Sequence, residues 1–298
     1  MQVIGIDLGS NTLRVLKYDC SLDKKVAEYE KIVRTAQNIT MDGTVGKRAI
    51  EAVVEGLIEA KKRLDFSGCK IKAVTTEALR VAKNSQEVLQ EIKEKTGINF
   101  EIISPKTEAL LTLNAVKKRL ELLGINNDFI LIDIGGGSTE ISFFIKGEII
   151  TKSFKLGIVT VANIAKDLND IKDLIDKKSK DIKEFVKDFD IKNLEFVATA
   201  GTPTTIAAMK LGLTYETYNP NLVNGVILEF SDLDFYLEKL LNMSKKDREI
   251  AVGVGRDDLI VAGVLILRKI YEILNKDKAI IVDDGLKEGV ALLLCKSS

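Results

Sequence analysis

Two short stretches of this chain collect the residue types that phosphate chemistry uses. The first is Asp7-Leu8-Gly9-Ser10-Asn11-Thr12 and the second is Asp133-Ile134-Gly135-Gly136-Gly137-Ser138-Thr139. Each places an aspartate at the end of an apolar, β-branched run, then glycine, then hydroxyl residues leading into another such run. Glycine lets backbone N–H groups approach a phosphate closely and adopt positive φ. Ser10, Thr12, Ser138 and Thr139 can donate to phosphate oxygens, and Asp7 and Asp133 can hold Mg²⁺, directly or through water. Their other reading is to cap the turn amides at the same place. Neither stretch is a Walker loop, since neither contains Gly-Lys-Ser/Thr. Neither is a dinucleotide fingerprint, because each leads into a strand instead of a helix. A lone turn of this kind is an ordinary glycine hairpin. Two, at corresponding places in two half-chains, make a clamp for a phosphoanhydride.

Composition narrows the chemistry. The 298 residues contain no histidine and no tryptophan, with 44 basic and 44 acidic side chains. Catalysis by a Ser-His-Asp or Cys-His arrangement and histidine-containing zinc sites are excluded. Proton transfer near neutral pH falls to carboxylates, Lys, Tyr, Cys or water. A metal would be a hard cation on oxygen ligands, Mg²⁺ or else Mn²⁺ or Ca²⁺. Zero net charge argues against a protein that coats nucleic acid. Cys20, Cys69 and Cys295 are odd in number and scattered, which predicts reduced thiols in a cytoplasmic protein. The amino terminus lacks a signal-peptide pattern, and no apolar stretch nears the ~20 residues of a membrane span.

The elements that must position these groups read as α/β. Strands are predicted over 3–8, 13–18, 26–33, 70–74 and 100–103, with helices over 48–64, 77–82, 85–95 and 107–123. After a turn cluster at Gly124-Ile125-Asn126-Asn127-Asp128, the pattern restarts with strands over 129–134, 140–145 and 149–154. Helices over 159–168 and 171–188, a strand over 196–199 and a helix over 203–210 capped by Thr202 follow. Then come a strand over 223–230, helices over 233–241 and 257–273, a strand over 279–282 and a helix over 287–294. Two similar α/β domains facing a cleft result, residues 1–124 and 125–298, with the last helix packing back on the first.

The sequence resembles the Ppx/GppA family of exopolyphosphatases and guanosine pentaphosphate phosphohydrolases. That family lies within the acetate-kinase, sugar-kinase, heat-shock-ATPase and actin superfamily. Residues 5–12 carry its first loop and 133–140 its DIGGGSTE loop. Residues 75–84 are similar to its ATxAxRxAxN block, and Glu101-Ile102-Ile103-Ser104 with Glu108-Ala109 to its EIISGxEEA block. Thr199-Ala200-Gly201-Thr202, Arg256 to Gly263 and Val282 to Gly289 match later blocks in family order. The resemblance implies two ribonuclease-H-like (actin-like) domains with mixed sheets flanked by helices and the active site in the interdomain cleft.

It also implies roles. Glu108 becomes the carboxylate that orients or deprotonates water, where it would otherwise be a solvated first-turn acid favoured by the helix dipole. The family often has two adjacent acids there, whereas this chain has Thr107-Glu108. Glu140 becomes a second carboxylate near the water or metal, instead of an outward strand residue. Arg80 becomes a phosphate-binding guanidinium, instead of a solvated surface charge. Gly9, Ser10, Asn11, Thr12, Gly135, Gly136, Gly137, Ser138 and Thr139 bind phosphate. Asp133 and Asp7 hold Mg²⁺, and Arg14, Gly201 and Thr202 are further contacts to nucleotide or polyphosphate. The implied reaction is Mg²⁺-dependent attack of water on the terminal phosphate of polyphosphate, or on guanosine pentaphosphate in the stringent response. A small-molecule kinase of the same superfamily and a non-catalytic alarmone-binding protein are the alternatives. The expected partners are those anions and a second copy of the chain, with no nucleic acid and no membrane.

Overall fold

The computed structural model describes residues 1–296, and the chain divides into two compact units. The first unit comprises Met1–Ala115 and the segment from Gly285 onward, and the second Val116–Asp284.

In the first unit, β1 (Gln2–Leu8), β2 (Thr12–Asp19) and β3 (Lys24–Ile32) form an antiparallel meander. On the other side of β1, β4 (Lys70–Thr75) and β5 (Phe100–Ile102) add in parallel, so the sheet order is β3-β2-β1-β4-β5. The central β1 is buried on both faces, as its nearly continuous apolar run requires, while edge strand β3 is largely exposed at its start. The helices are α1 (Ile39–Asp42), α2 (Lys47–Leu64), α3 (Glu77–Val81), α4 (Ser85–Thr96) and α5 (Pro105–Leu122). In α2, Ile50, Val53, Val54, Leu57, Ala60 and Leu64 are buried at helical spacing.

The second unit repeats the design. β6 (Phe129–Ile134), β7 (Thr139–Ile145) and β8 (Glu148–Phe154) form the meander. Helices α6 (Ile158–Ile164), α7 (Leu168–Lys178) and α8 (Lys180–Val186) lead to β9 (Glu195–Thr199), parallel to β6. Next come α9 (Gly201–Lys210), α10 (Pro220–Val223), β10 (Ile227–Glu229), α11 (Phe230–Asn242), α12 (Lys245–Val252) and α13 (Ile260–Leu274). β11 (Lys278–Ile281) joins parallel to β9, with β10 antiparallel at the edge. Apart from β10 the sheet has the same order as the first, which is the ribonuclease-H-like arrangement expected. α13 is apolar nearly all round because it lies in the core of this unit.

Several boundaries depart from the sequence reading. The expected division near 124 falls instead between Ala115 and Val116, inside α5. Leu111 of that helix packs with Val74, Ile103, Leu286 and Val290 in the first unit, whereas Arg119 pairs with Asp284 in the second. Gly124, at φ +76°, marks only the end of the helix. The helix expected over 159–168 stops at Ile164, and the one over 171–188 is two helices broken at Ser179. The strand expected over 223–230 shrinks to three residues, with its start taken by α10. α9 begins at Gly201, so Thr202 lies inside the helix and does not cap it. The thiol reading is also corrected. Cys20, just beyond β2, and Cys295, in the last helix α14 (Leu286–Lys296), form a disulfide, and Cys69 is free. Spacing along the chain could not show this, because the pair is 275 residues apart. Among the described residues, no helix is long and apolar enough to cross a membrane.

α14 lies against β1, β2 and β4. Its approach to β1 requires Gly5, where a Cβ would sit 2.6 Å from the Lys287 carbonyl oxygen, and its approach to α5 requires Gly289, where a Cβ would sit 2.2 Å from the Leu111 carbonyl oxygen. A buried ion cluster fastens it. Glu288 Oε1 lies 2.7 Å from Lys25 Nζ of β3 and 2.8 Å from Lys287 Nζ, and Lys287 also reaches Glu28. Burial pushes the Glu288 carboxyl up, but Lys287 and Lys25 outweigh it and hold the pKa down at about 2, from an ordinary 4.5. The cluster's stabilisation is therefore complete above about pH 4.5 and is lost as pH falls toward 2. In melting curves, Glu288→Gln is expected to be less stable than wild type at neutral pH. That difference narrows in acid, and a difference constant with pH would refute the account.

Candidate active site

The two glycine loops are built alike. In the first, the Gly9 amide bonds to the Thr12 carbonyl at 3.0 Å; in the second, Gly135 bonds to Ser138 at 2.9 Å. The carbonyls of each loop are tied back by the stretch that follows the third strand of the same sheet. Thr35 Oγ1 donates to Gly9 O at 2.7 Å, the Ala36 amide to Ser10 O, and the Val33 and Arg34 amides to Asn11 O. Likewise the Ile158 amide donates to Gly135 O, and the Val159 and Thr160 amides to Gly136 O. Gly157 makes the second tie possible, since a Cβ there would lie 2.2 Å from the Gly137 carbonyl carbon. With carbonyls engaged, the amides of Ser10, Asn11, Gly136 and Gly137 make no backbone hydrogen bond among the described residues. Successive N–H groups of a turn can donate to an anion, although no residue of either loop adopts the positive φ expected of its glycines. The tie-back segments, 33–36 and 157–160, were not singled out in the sequence; their signal is the strand, loop and glycine or threonine recurring in both halves.

The hydroxyls of the second loop do less than expected for phosphate. Ser138 Oγ donates to Glu140 Oε1 at 2.7 Å, and Thr139 Oγ1 donates to the Leu156 carbonyl. Both residues are buried. In the first loop Ser10 and Thr12 are buried, and Asn11 Oδ1 is buried with no hydrogen-bond partner among the described residues.

The aspartates occupy equivalent registers but different electrostatic settings. Asp7 faces Arg14 across β1–β2, with Arg14 Nη1 3.8 Å from Asp7 Oδ2 and Arg14 Nε 2.9 Å from Glu30. Asp133 faces Glu140 across β6–β7, a second carboxylate on the same side of the sheet. Among the described residues no three His, Cys, Asp or Glu side chains are grouped closely enough to hold a metal ion alone. Mg²⁺ commonly takes one or two carboxylates and completes its shell with water and substrate oxygens. The Asp133–Glu140 pair fits that pattern, whereas Asp7 already has a cation beside it.

Glu108 stands in the first turn of α5. Ser104 Oγ accepts the Thr107 amide at 3.1 Å and Pro105 opens the helix, so it starts two residues before the position read from the sequence. Arg80 of α3 does not reach out as a lone guanidinium. Its Nη2 donates to Glu108 Oε2 at 3.2 Å and to Glu77 Oε2 at 3.0 Å. Its Nε also bonds Glu77, and Nη1 bonds the Ile103 carbonyl at 2.6 Å. Arg80 is thus placed to orient Glu108. Thr202, 2 % exposed, packs on Gly263 of α13, and Gly201 opens α9 after Ala200 at φ +75°. Among the described residues, neither makes a backbone hydrogen bond to the groups above.

A family model described as the Ppx/GppA phosphatase family matches residues 19–297. The chain is 24% identical to the bifunctional 3-dehydroquinate synthase/phosphatase of Fusobacterium nucleatum, over 96% of this chain and 46% of that protein. It is 31% identical to exopolyphosphatase 1 of Mycobacterium tuberculosis, over 46% of this chain and 40% of that protein. The chain spans less than half the length of these two relatives. With exopolyphosphatase 2 of the same organism it is 23% identical over 98% of each. A crystal structure of the Aquifex aeolicus Ppx/GppA family member is 28% identical, with a TM-score of 0.76 over 100% of this chain and 99% of that one. The Cytophaga hutchinsonii exopolyphosphatase, at 20% identity, shares the fold with a TM-score of 0.88 over 100% and 98%.

Proposed function

From the premise that the chain belongs to the Ppx/GppA phosphatase family, we propose that it hydrolyses phosphoanhydrides, releasing the terminal phosphate of inorganic polyphosphate. The observation that carries the reading is the repeated loop: in each unit, carbonyls are tied back and consecutive amides are left for an anion. Polyphosphate is preferred over guanosine pentaphosphate because exopolyphosphatase 2 matches this chain over 98% of both lengths.

In this mechanism the amides of Ser10 and Asn11, and of Gly136 and Gly137, bind phosphoryl oxygens. Glu108, oriented by Arg80, positions a water for in-line attack and takes its proton. Arg14 is held between Asp7 and Glu30 beside the first loop. Asp133, with Glu140, would hold Mg²⁺, which when bound withdraws charge from the phosphoryl oxygens.

The test is phosphate release from long polyphosphate, short polyphosphate and guanosine pentaphosphate, with and without Mg²⁺. Release without any acceptor, fastest on polyphosphate and abolished by chelation, is expected. Strict dependence on an acceptor points to a kinase. Tight binding with no turnover, unchanged by Glu108→Gln, points to a sensor.

A further inference from the structure

Ser153 sits on β8, outside both loops, yet its hydroxyl donates to Glu140 Oε1 at 2.6 Å. The Ser138 hydroxyl donates to the same oxygen at 2.7 Å. Glu140 is 3 % exposed, so water does not take over these bonds. Strand register explains the meeting: Asp133, Glu140 and Ser153 are directly opposed on β6, β7 and β8 and share one face of the sheet. Glu140 therefore stands between a carboxylate on one side and a hydroxyl on the other.

The two hydroxyls differ in what they are attached to. Ser138 moves with the glycine loop, so its bond alone lets carboxylate and loop shift together. Ser153 belongs to the next strand, so its bond fixes the carboxylate to the sheet. Opposed carboxylates on adjacent strands repel. A donor on the far side offsets that repulsion and selects one rotamer. Charge-assisted hydrogen bonds of this kind are the strong ones.

We propose that Ser153 is a positioning residue for phosphoanhydride hydrolysis, holding the Glu140 carboxylate in its working orientation from the neighbouring strand. The inference rests on the hydrolase reading above and adds to it a residue that no phosphate-loop motif contains.

In the full-length chain, Ser153→Ala is expected to lower kcat on polyphosphate about 10- to 100-fold, the scale of a hydrogen bond to a charged group. KM is expected to stay within about twofold, since the substrate-binding amides are untouched. Ser153→Thr, which keeps the hydroxyl, restores most of the rate, and Ser153→Cys, a weak donor of similar size, does not. In a Glu140→Ala background, Ser153→Ala adds no further loss, because a residue acting through Glu140 has nothing left to act on. A wild-type rate for Ser153→Ala overturns the inference, as does an equal loss in the Glu140→Ala background. If the unaltered protein releases no phosphate from any of these anions, the hydrolase reading falls instead. The crystal structure of Ser153→Cys then decides what is independent of that reading, the positioning of Glu140 by Ser153: a displaced carboxylate supports it and an unmoved one overturns it.

Discussion

Replacing Glu108 by glutamine is expected to lower kcat for phosphate release by about 10²–10⁴-fold, the usual contribution of a positioned general base. Glutamine has nearly the shape of glutamate, and its side-chain oxygen can still accept from Arg80 Nη2, so the anchor at 3.2 Å survives. What is lost is the negative charge and the ability to take a proton from water. Melting temperature and KM should therefore stay near wild type while the rate collapses, and that pattern separates a chemical from a structural role. Steady-state phosphate release by both proteins is the measurement. Full activity of the variant would remove Glu108 from the chemistry and move the role to Glu140. No histidine is present to share the task.

The second large effect concerns the Cys20–Cys295 disulfide. It joins the end of β2 to the end of α14 and closes a loop that includes nearly the whole chain. In the chain-entropy account a disulfide stabilises by restricting the unfolded state, typically by about 2–4 kcal/mol and more for longer loops. Locally it holds the helix that buries Ala291 against Val3, Leu16 and Tyr18. The oxidised protein is expected to melt higher than the reduced one, by about 4–16 °C if each kcal/mol shifts the midpoint by about 2–4 °C. Cys295→Ser should melt like the reduced protein and ignore reductant. Calorimetry with and without reductant, with intact mass to report the thiol state, checks this. Equal melting temperatures for the oxidised and reduced forms would contradict it.

Much of the fold was legible because the signals are local. Val3 to Leu8 is nearly continuously apolar because β1 is buried on both faces, and α2 shows helical spacing because it buries one face. The failures share a cause. The apolar run at 223–230 is too short for periodicity to separate strand from helix, and contact with β11 decides that only 227–229 pair. The run at 171–188 carries one continuous helical pattern, and the break at Ser179 comes from tertiary packing that the pattern does not contain. Arg80 was legible as a charge in a motif, but its partners Glu77, Glu108 and the Ile103 carbonyl were not.

The paired stretches at 7–12 and 133–139 by themselves pointed to the phosphate chemistry proposed for this chain. A phosphate loop is a few consecutive residues whose backbone conformation depends on glycine and on the strands at either side. That information is local and is repeated in both halves. Only the tertiary structure decided which groups support the loops. Ser153 reaches Glu140 across 13 residues, Arg80 reaches Glu108 across 28, and Cys20 reaches Cys295 across 275. Each of these meetings is set by strand register or helix packing, and neither can be counted out along a chain.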